Sequence, residues 1–162
     1  MSGGGVRSQE SEARRKSAYS ELADQLKYPD DPVRQELYVQ TFEFNPACTL
    51  EIGWHLFGEN YERGEFLVRM REQLRRHRIP ESTELPDHLT HLLPLIACMD
   101  HDEATQLAGE FILPAIAKIR SAIHDNPYEQ VIARIAEKLE ADFPDAPRRP
   151  AQLPIFQEAA CE

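Results

Sequence analysis

The sequence predicts an all-α fold, a single-domain helical bundle of six or seven helices. Three observations carry that expectation. Apolar residues recur with helical spacing along almost the whole chain. Sustained alternation of apolar and polar residues, the mark of half-buried strands, is missing. The length of 162 residues, with 41% apolar and 28% charged residues, suits one soluble domain around one core.

The elements follow in order. Tyr19, Leu22, Ala23 and Leu26 mark a first helix, stopped by "YPDDP". Val33, Leu37 and Phe42 mark a second, ending before Pro46. "ACTLEIGWHLF" is nearly all apolar and reads as a buried helix, with a strand as the competing assignment because of its β-branched and aromatic residues. Gly58 punctuates the chain, and Phe66, Leu67, Met70 and Leu74 mark a long helix ending near Arg78, whose terminal arginines suit the helix dipole. "IPESTE" reads as a loop, and Leu85, Leu89, Leu92, Leu93, Ile96 and Met99 define the next helix. "DHDEATQ" begins another, with Pro114 inside its apolar stripe predicting a kink or break near Leu113. Pro127 opens the last helix, which carries Val131, Ile135, Leu139 and Phe143 on one face. The expected division is a flexible leader over 1–15, a helical domain over 16–143, and a disordered tail over 144–162 that has four prolines in the eleven residues "PDAPRRPAQLP".

Charge and cysteine usage exclude several classes. The net charge is −10, and its distribution says more than its size. Between Arg34 and Arg63 stand five acids and no Lys or Arg; between Arg78 and Lys118 stand seven acids and again no Lys or Arg. Nucleic acid needs a basic footprint and is not an expected partner; a basic ligand is attracted. Apolar runs fall far short of the roughly 20 residues of a membrane span, and "MSGGGVRSQE" lacks the apolar core of a secretory signal. Cys48, Cys98 and Cys161 are odd in number and lack C-x-x-C spacing, which argues against a disulfide framework or zinc ribbon. Cys48 and Cys98 read as core thiols, and the cytoplasm is the default compartment.

Two stretches hold the candidate chemistry. In "STELPDHLTH", Glu84, Asp87, His88 and His91 form the best metal or acid–base cluster, with an i, i+3 histidine pair on one helical face. The H-x-x-H spacing lacks the internal glutamate of H-E-x-x-H, and no G-x-S-x-G, Walker A or dinucleotide fingerprint accompanies it. The structural reading places the Asp87 carboxylate, directly after Pro86, near free N–H groups at a helix start, with Ser82 or Thr83 capping an earlier turn. In "LEIGWHLFGENYERG", Glu51 lies inside an apolar run and needs a partner, for which His55 and Arg63 are the candidates. Trp54 and Phe57 are apolar neighbours that would line a groove with Glu51 and Glu59 at its rim, suited to an apolar peptide with a basic end.

The order of these stretches resembles a known family. "HLFGENYERG" (His55–Gly64), then a helix, then "ELPDHL" (Glu84–Leu89), resembles the redox-enzyme maturation chaperones of the NarJ/TorD/DmsD group, and most of all the branch serving respiratory nitrate reductase and related molybdoenzymes. "QLKYPDDP", "YVQTFE" and the "NPY" at Asn126–Tyr128 extend the resemblance over roughly residues 19–143. It implies a cytoplasmic, non-catalytic, all-helical chaperone without a cofactor of its own. Such a protein binds the twin-arginine-like N-terminal leader of a molybdenum-enzyme catalytic subunit and holds the apo-subunit until the molybdenum cofactor is inserted. Carried over by motif, Glu84, Pro86, Asp87 and His88 belong to the leader-binding region, and His55, Gly58, Glu59, Arg63 and Gly64 form the other signature. The chain departs from the family in one place: only "DDPVRQEL" separates the Tyr-Pro-Asp from the aromatic segment, where relatives carry about a helical hairpin. A second copy in a homodimer, or a swapped helix, is then expected to cover the surface left bare. The readings that compete with the chaperone are a small metal- or nucleotide-dependent enzyme using Asp87, His88 and His91, and a general helical adaptor.

Overall fold

A computed structural model describes residues 3–147 together with residues 149, 151, 153, 155 and 156. Its elements are α1 (Gly3–Asp24), α2 (Pro32–Tyr38), α3 (Ile52–Phe57), α4 (Tyr61–Arg76), α5 (Leu89–Cys98), α6 (His101–Gln106), α7 (Leu113–Ala122) and α8 (Tyr128–Asp142). A π-turn over Val39–Glu43 continues α2, and another over Leu107–Ile112 joins α6 to α7. Counted as continuous rods, these are seven helices among the described residues, in the all-α class that the sequence predicts.

The centre of the bundle is α5. Eight of its ten residues are buried, and it packs chiefly along α1. The sequence predicts its start at Leu85; the helix begins at Leu89, because Pro86 to His88 are held in extended and turn geometry by another part of the chain. Against α5, α4 contributes Phe66, Met70 and Leu74 at i, i+4 spacing, while α8, packed on α7, adds Ile132, Ile135 and Leu139 to the same core. Tyr19 ties the two ends of the chain: it is wholly buried, its hydroxyl donates to Asp142 Oδ2 at 2.8 Å, and Lys138 closes on the same carboxylate.

Proline sets the break near Leu113. Pro114 has no N–H, and its ring excludes the carbonyl four residues earlier. The chain absorbs this with the wide π-turn over Leu107–Ile112, all of it buried, before α7 resumes with proline in its first turn. The turn delivers Phe111 face to face with Phe66, with ring centroids 5.1 Å apart and planes 6° from parallel. Phe57 packs against both.

"ACTLEIGWHLF" is not one helix. Asn45 caps a short 3₁₀ turn over Pro46–Cys48, the chain bends at Leu50 between Thr49 and the bridged Glu51, and α3 starts only at Ile52. The helix assignment holds only for Ile52–Phe57, and the competing strand does not form among the described residues: Glu51 makes a single isolated bridge. Helix α1 starts at Gly3, ahead of the apolar stripe that opens at Tyr19, and is exposed almost throughout from Gln9 to Lys16. At the other end, Ala146 and Ile155 are buried against the core. The short link after α1 is fastened by Asp31, which caps α2, and by Gln35, which donates to the Pro29 carbonyl at 2.8 Å. Tyr28 edges onto Tyr38, while Val33 and Phe44 are exposed.

Phe111→Ala is expected to lower unfolding free energy by about 3–5 kcal/mol, since it removes a wholly buried ring from a stacked pair. Urea denaturation followed by far-ultraviolet circular dichroism measures it, and a loss below about 1 kcal/mol contradicts the central role given to that stack.

Candidate functional site

The two signature stretches meet through the backbone. The Ile52 N–H donates to the Asp87 carbonyl at 3.1 Å, and the Leu89 N–H donates to the Leu50 carbonyl at 2.9 Å. This isolated antiparallel bridge pairs Glu51 with His88. It satisfies donors at the start of α3 and α5 that no turn of those helices can reach.

Asp87 locks the same junction with its side chain. The residue is wholly buried, and Oδ2 accepts the Gly53 N–H at 2.9 Å. The carboxylate does sit at a helix N-terminus, as the sequence reading expects, but the helix is α3 rather than the one that follows it in sequence. His88, by contrast, caps α5. A Cβ on Gly53 would stand 2.7 Å from Asp87 Oδ2 and 2.9 Å from Phe66 Cδ1, so this position requires glycine. Gly58 has φ +58° and ψ −129°, a conformation that L side chains rarely adopt, and it ends α3. Gly64 has no such steric reason: nothing lies within 4 Å of a Cβ placed there.

Of the two partners weighed for Glu51, the structure selects Arg63. Its Nη2 lies 3.0 Å from Glu51 Oε2 and 3.7 Å from Asp87 Oδ2, with the guanidinium carbon 5.7 Å from the Trp54 ring centre. His55 turns away: its Nε2–H donates to the Thr49 carbonyl at 2.6 Å, and Lys118 bonds its carbonyl. Burial raises the Asp87 carboxyl from 3.8 to about 6, against the opposing pull of Arg63.

Backbone partners fix the histidine tautomers. The Thr90 N–H donates to His88 Nδ1 at 3.3 Å, which leaves the ring proton on Nε2. That Nε2 has no hydrogen bond among the described residues; the nearest carboxylate oxygen, on Glu84, is 3.8 Å away. Burial depresses His88 to about 4, so the ring is neutral at pH 7 and the contact with Glu84 is not an ion pair. His91 has the other tautomer: Nδ1–H donates to the Leu85 carbonyl at 2.8 Å, and Nε2 accepts the Ser82 N–H at 2.9 Å. Both histidines are therefore committed to the fold at one nitrogen or both. Among the described residues, no group of three or more His, Cys, Asp or Glu side chains stands in position to hold a metal ion.

Outside this locked core lies a groove of two chambers. One, of about 460 Å³, is lined by Phe42, Glu43, Pro46, Leu50, Glu51 and Trp54. The other, of about 540 Å³, lies between the end of α1 and the 79–84 segment and is lined by Leu26, Tyr28, Ile79, Pro80, Thr83 and Pro94. Tyr38, Glu84 and His88 line both and stand between them. Burial, then Glu43 and Glu51, hold the Glu84 carboxyl above its usual range.

Glu51, Trp54, Arg63, Glu84 and His88 are thus brought to one surface. Pro86 and Asp87 lie buried behind it, and His55 is buried at α3. Phe57 joins the Phe66–Phe111 cluster, and Glu59 is exposed in the turn after α3; neither lines the chambers. Sequence reading missed Tyr38, Phe42 and Glu43 as groove residues. The signal for them was present in "YVQTFE", an aromatic run ending in an acid, directly ahead of the first signature.

Fold and site together define a helical domain whose two signature stretches are cross-braced beside two neighbouring pockets that share Tyr38, Glu84 and His88. The chain belongs to the nitrate reductase delta subunit family, whose model matches residues 9–141. It is 26% identical over 155 residues to the nitrate reductase molybdenum cofactor assembly chaperone NarJ of Escherichia coli strain K12, and equally to that of Escherichia coli O157:H7. Each alignment covers 81% of this chain, and the chain spans 65% of the length of these relatives.

Gly53→Ala is expected to destabilise the fold by about 1–3 kcal/mol, because the added methyl displaces the Asp87 carboxylate or the Phe66 ring. A calorimetric melting point equal to that of the unaltered protein rejects this packing. The Asp87→Asn variant tests the buried charge. Asp87 is raised in the folded state, so its contribution to stability is complete below pH 3.8 and is lost as pH rises through about 6. His88 is depressed, so its contribution is complete above pH 6.5 and is lost as pH falls through about 4. The two slopes oppose each other between pH 4 and 6. With asparagine at 87 the opposing Asp87 slope is gone, so the variant gains about 2 kcal/mol on the unaltered protein between pH 4 and pH 7. Urea midpoints at the two pH values give the difference, and a constant gap shows that burial does not raise the Asp87 carboxyl.

Proposed function

We propose that the chain is an assembly chaperone for a molybdenum-containing enzyme, acting in the cytoplasm and without catalysis. It holds the N-terminal, twin-arginine-like leader of the catalytic subunit in the two-chambered groove and keeps the apo-subunit available for molybdenum cofactor insertion. Family membership and the likeness to the Escherichia coli chaperones support the class. The observation that carries the groove assignment is its charge pattern. Glu43, Glu51 and Glu84 face the smaller chamber, and the guanidinium among them, Arg63, is already engaged by Glu51 and Asp87. That leaves a surplus of negative charge beside a larger chamber with apolar residues on its walls. A segment with arginines followed by an apolar run is complementary in both halves.

His88 has a part in this reading. Its unused Nε2–H lies at the divide between the chambers and is a donor for a backbone carbonyl of an extended peptide. Asp87 acts one step behind, by fixing where His88 and Trp54 stand.

Isothermal titration with a synthetic peptide of two arginines followed by an apolar run tests the proposal. Glu43→Gln and Glu84→Gln are each expected to weaken binding roughly fivefold, the scale of a partly exposed charge pair. His88→Ala weakens it as well, with the helical dichroism unchanged. Affinity falls as salt is raised past about 0.1 M, where screening reaches roughly 10 Å. Affinity indifferent to salt and to both glutamates removes the groove assignment.

A further inference from the structure

Beyond α8 the chain turns back onto the π-turn between α6 and α7. Gly109 permits that approach: a Cβ there would stand 2.5 Å from the Pro147 carbonyl oxygen and 2.8 Å from its nitrogen. Next to it, Glu110 is held by the Arg149 guanidinium and by Gln106 at 3.5 Å. Six residues after Arg149, Ile155 is wholly buried, and Ala151, Leu153 and Phe156 pack partly against the core.

The ion pair is lopsided. The Glu110 side chain is 3% exposed, whereas that of Arg149 is 66% exposed. The acid belongs to the wall, and the cation reaches it from solvent. Without a cation, Glu110 is a buried charge lacking compensation, which is strongly unfavourable. The surface therefore selects an arginine or lysine, with an aliphatic side chain further along the same segment.

We propose that this surface is a second docking site, for a partner segment carrying an arginine with an aliphatic residue about six positions later. The chain's own Pro147, Arg149 and Ile155 occupy it as an intramolecular stand-in. The site does not depend on the groove, because it is read from contacts that the tail already makes. A tethered occupant competes at an effective concentration on the order of millimolar, so the tail sets a threshold that a partner segment must exceed.

The test uses the full chain and a synthetic peptide of residues 146–156, APRRPAQLPIF. In Arg149→Ala/Ile155→Ala the stand-in loses both anchors, and the peptide is expected to bind at least about tenfold tighter than to the unaltered protein. Adding Glu110→Gln in that background abolishes the gain. Equal affinity for the unaltered and doubly substituted chains, or undiminished affinity after Glu110→Gln, overturns the proposal. A second measurement needs no variant. Excess peptide accelerates amide exchange in residues 143–156 of the unaltered chain and leaves α5 unchanged; tail exchange that does not respond also overturns it. The tail peptide also carries two arginines ahead of apolar residues, so the titration is repeated with Glu43→Gln/Glu84→Gln added to the doubly substituted chain: a gain that persists belongs to this surface and leaves the groove assignment to its own test, whereas a gain lost with the groove acids overturns the second site.

Discussion

A single wholly buried carboxylate organises the site. Asp87 has one oxygen on the Gly53 N–H and near Arg63, while its other oxygen has no hydrogen-bond partner among the described residues. Such a group is costly to bury, and burial raises its carboxyl toward neutrality. What it secures is position. The start of α3, the lead into α5 and the first turns of α4 all converge on it, and the backbone bridge between Glu51 and His88 lies directly alongside. If Asp87 moves, Arg63 loses one of its two acids, and Trp54 loses the cation poised over its ring.

The signature residues therefore divide by task. Gly53, Gly58, His55, Pro86 and Asp87 build the junction and are turned inward or set the backbone. Glu51, Trp54, Glu84 and His88 are what the junction presents to the outside. His88 takes part in both, since Nδ1 caps α5 and Nε2 faces the groove. A motif written as a string of letters hides this division, because adjacent letters such as Asp87 and His88 point to opposite sides of one bridge.

Much of the fold is legible in the sequence because helix cores repeat locally. The stripes of α4, α5 and α8 are visible at i, i+4 spacing, and Pro114 announces its own break. What is not legible depends on distant partners. Residues 49–51 stay outside the helix because Leu50 and Ile52 bond the backbone on either side of His88, a fact with no local trace. The late start of α5 has the same origin. The role of Asp87 was half visible: its chemistry suits a helix N-terminus, but only the fold shows which helix. The pairing of Glu51 with Arg63 rather than His55 follows from where the turn at Gly58 sends α4, which i, i+4 spacing within one helix cannot foresee. Phe57 was expected at the groove on its apolar character alone, and the Phe66–Phe111 stack claims it instead.

The bridge between Glu51 and His88 also bears on the order in which the molecule assembles. Helices form from near neighbours and need little chain closure, whereas the Asp87–Gly53 contact joins residues 34 apart in sequence. Closing that loop brings α4 along with it, since α4 lies within the loop. The groove wall thus arises late, after the helices that flank it have begun to pack. A newly made chain with helices but no closed loop lacks the wall that Glu51, Trp54, Glu84 and His88 present, so that surface exists only once the loop has closed.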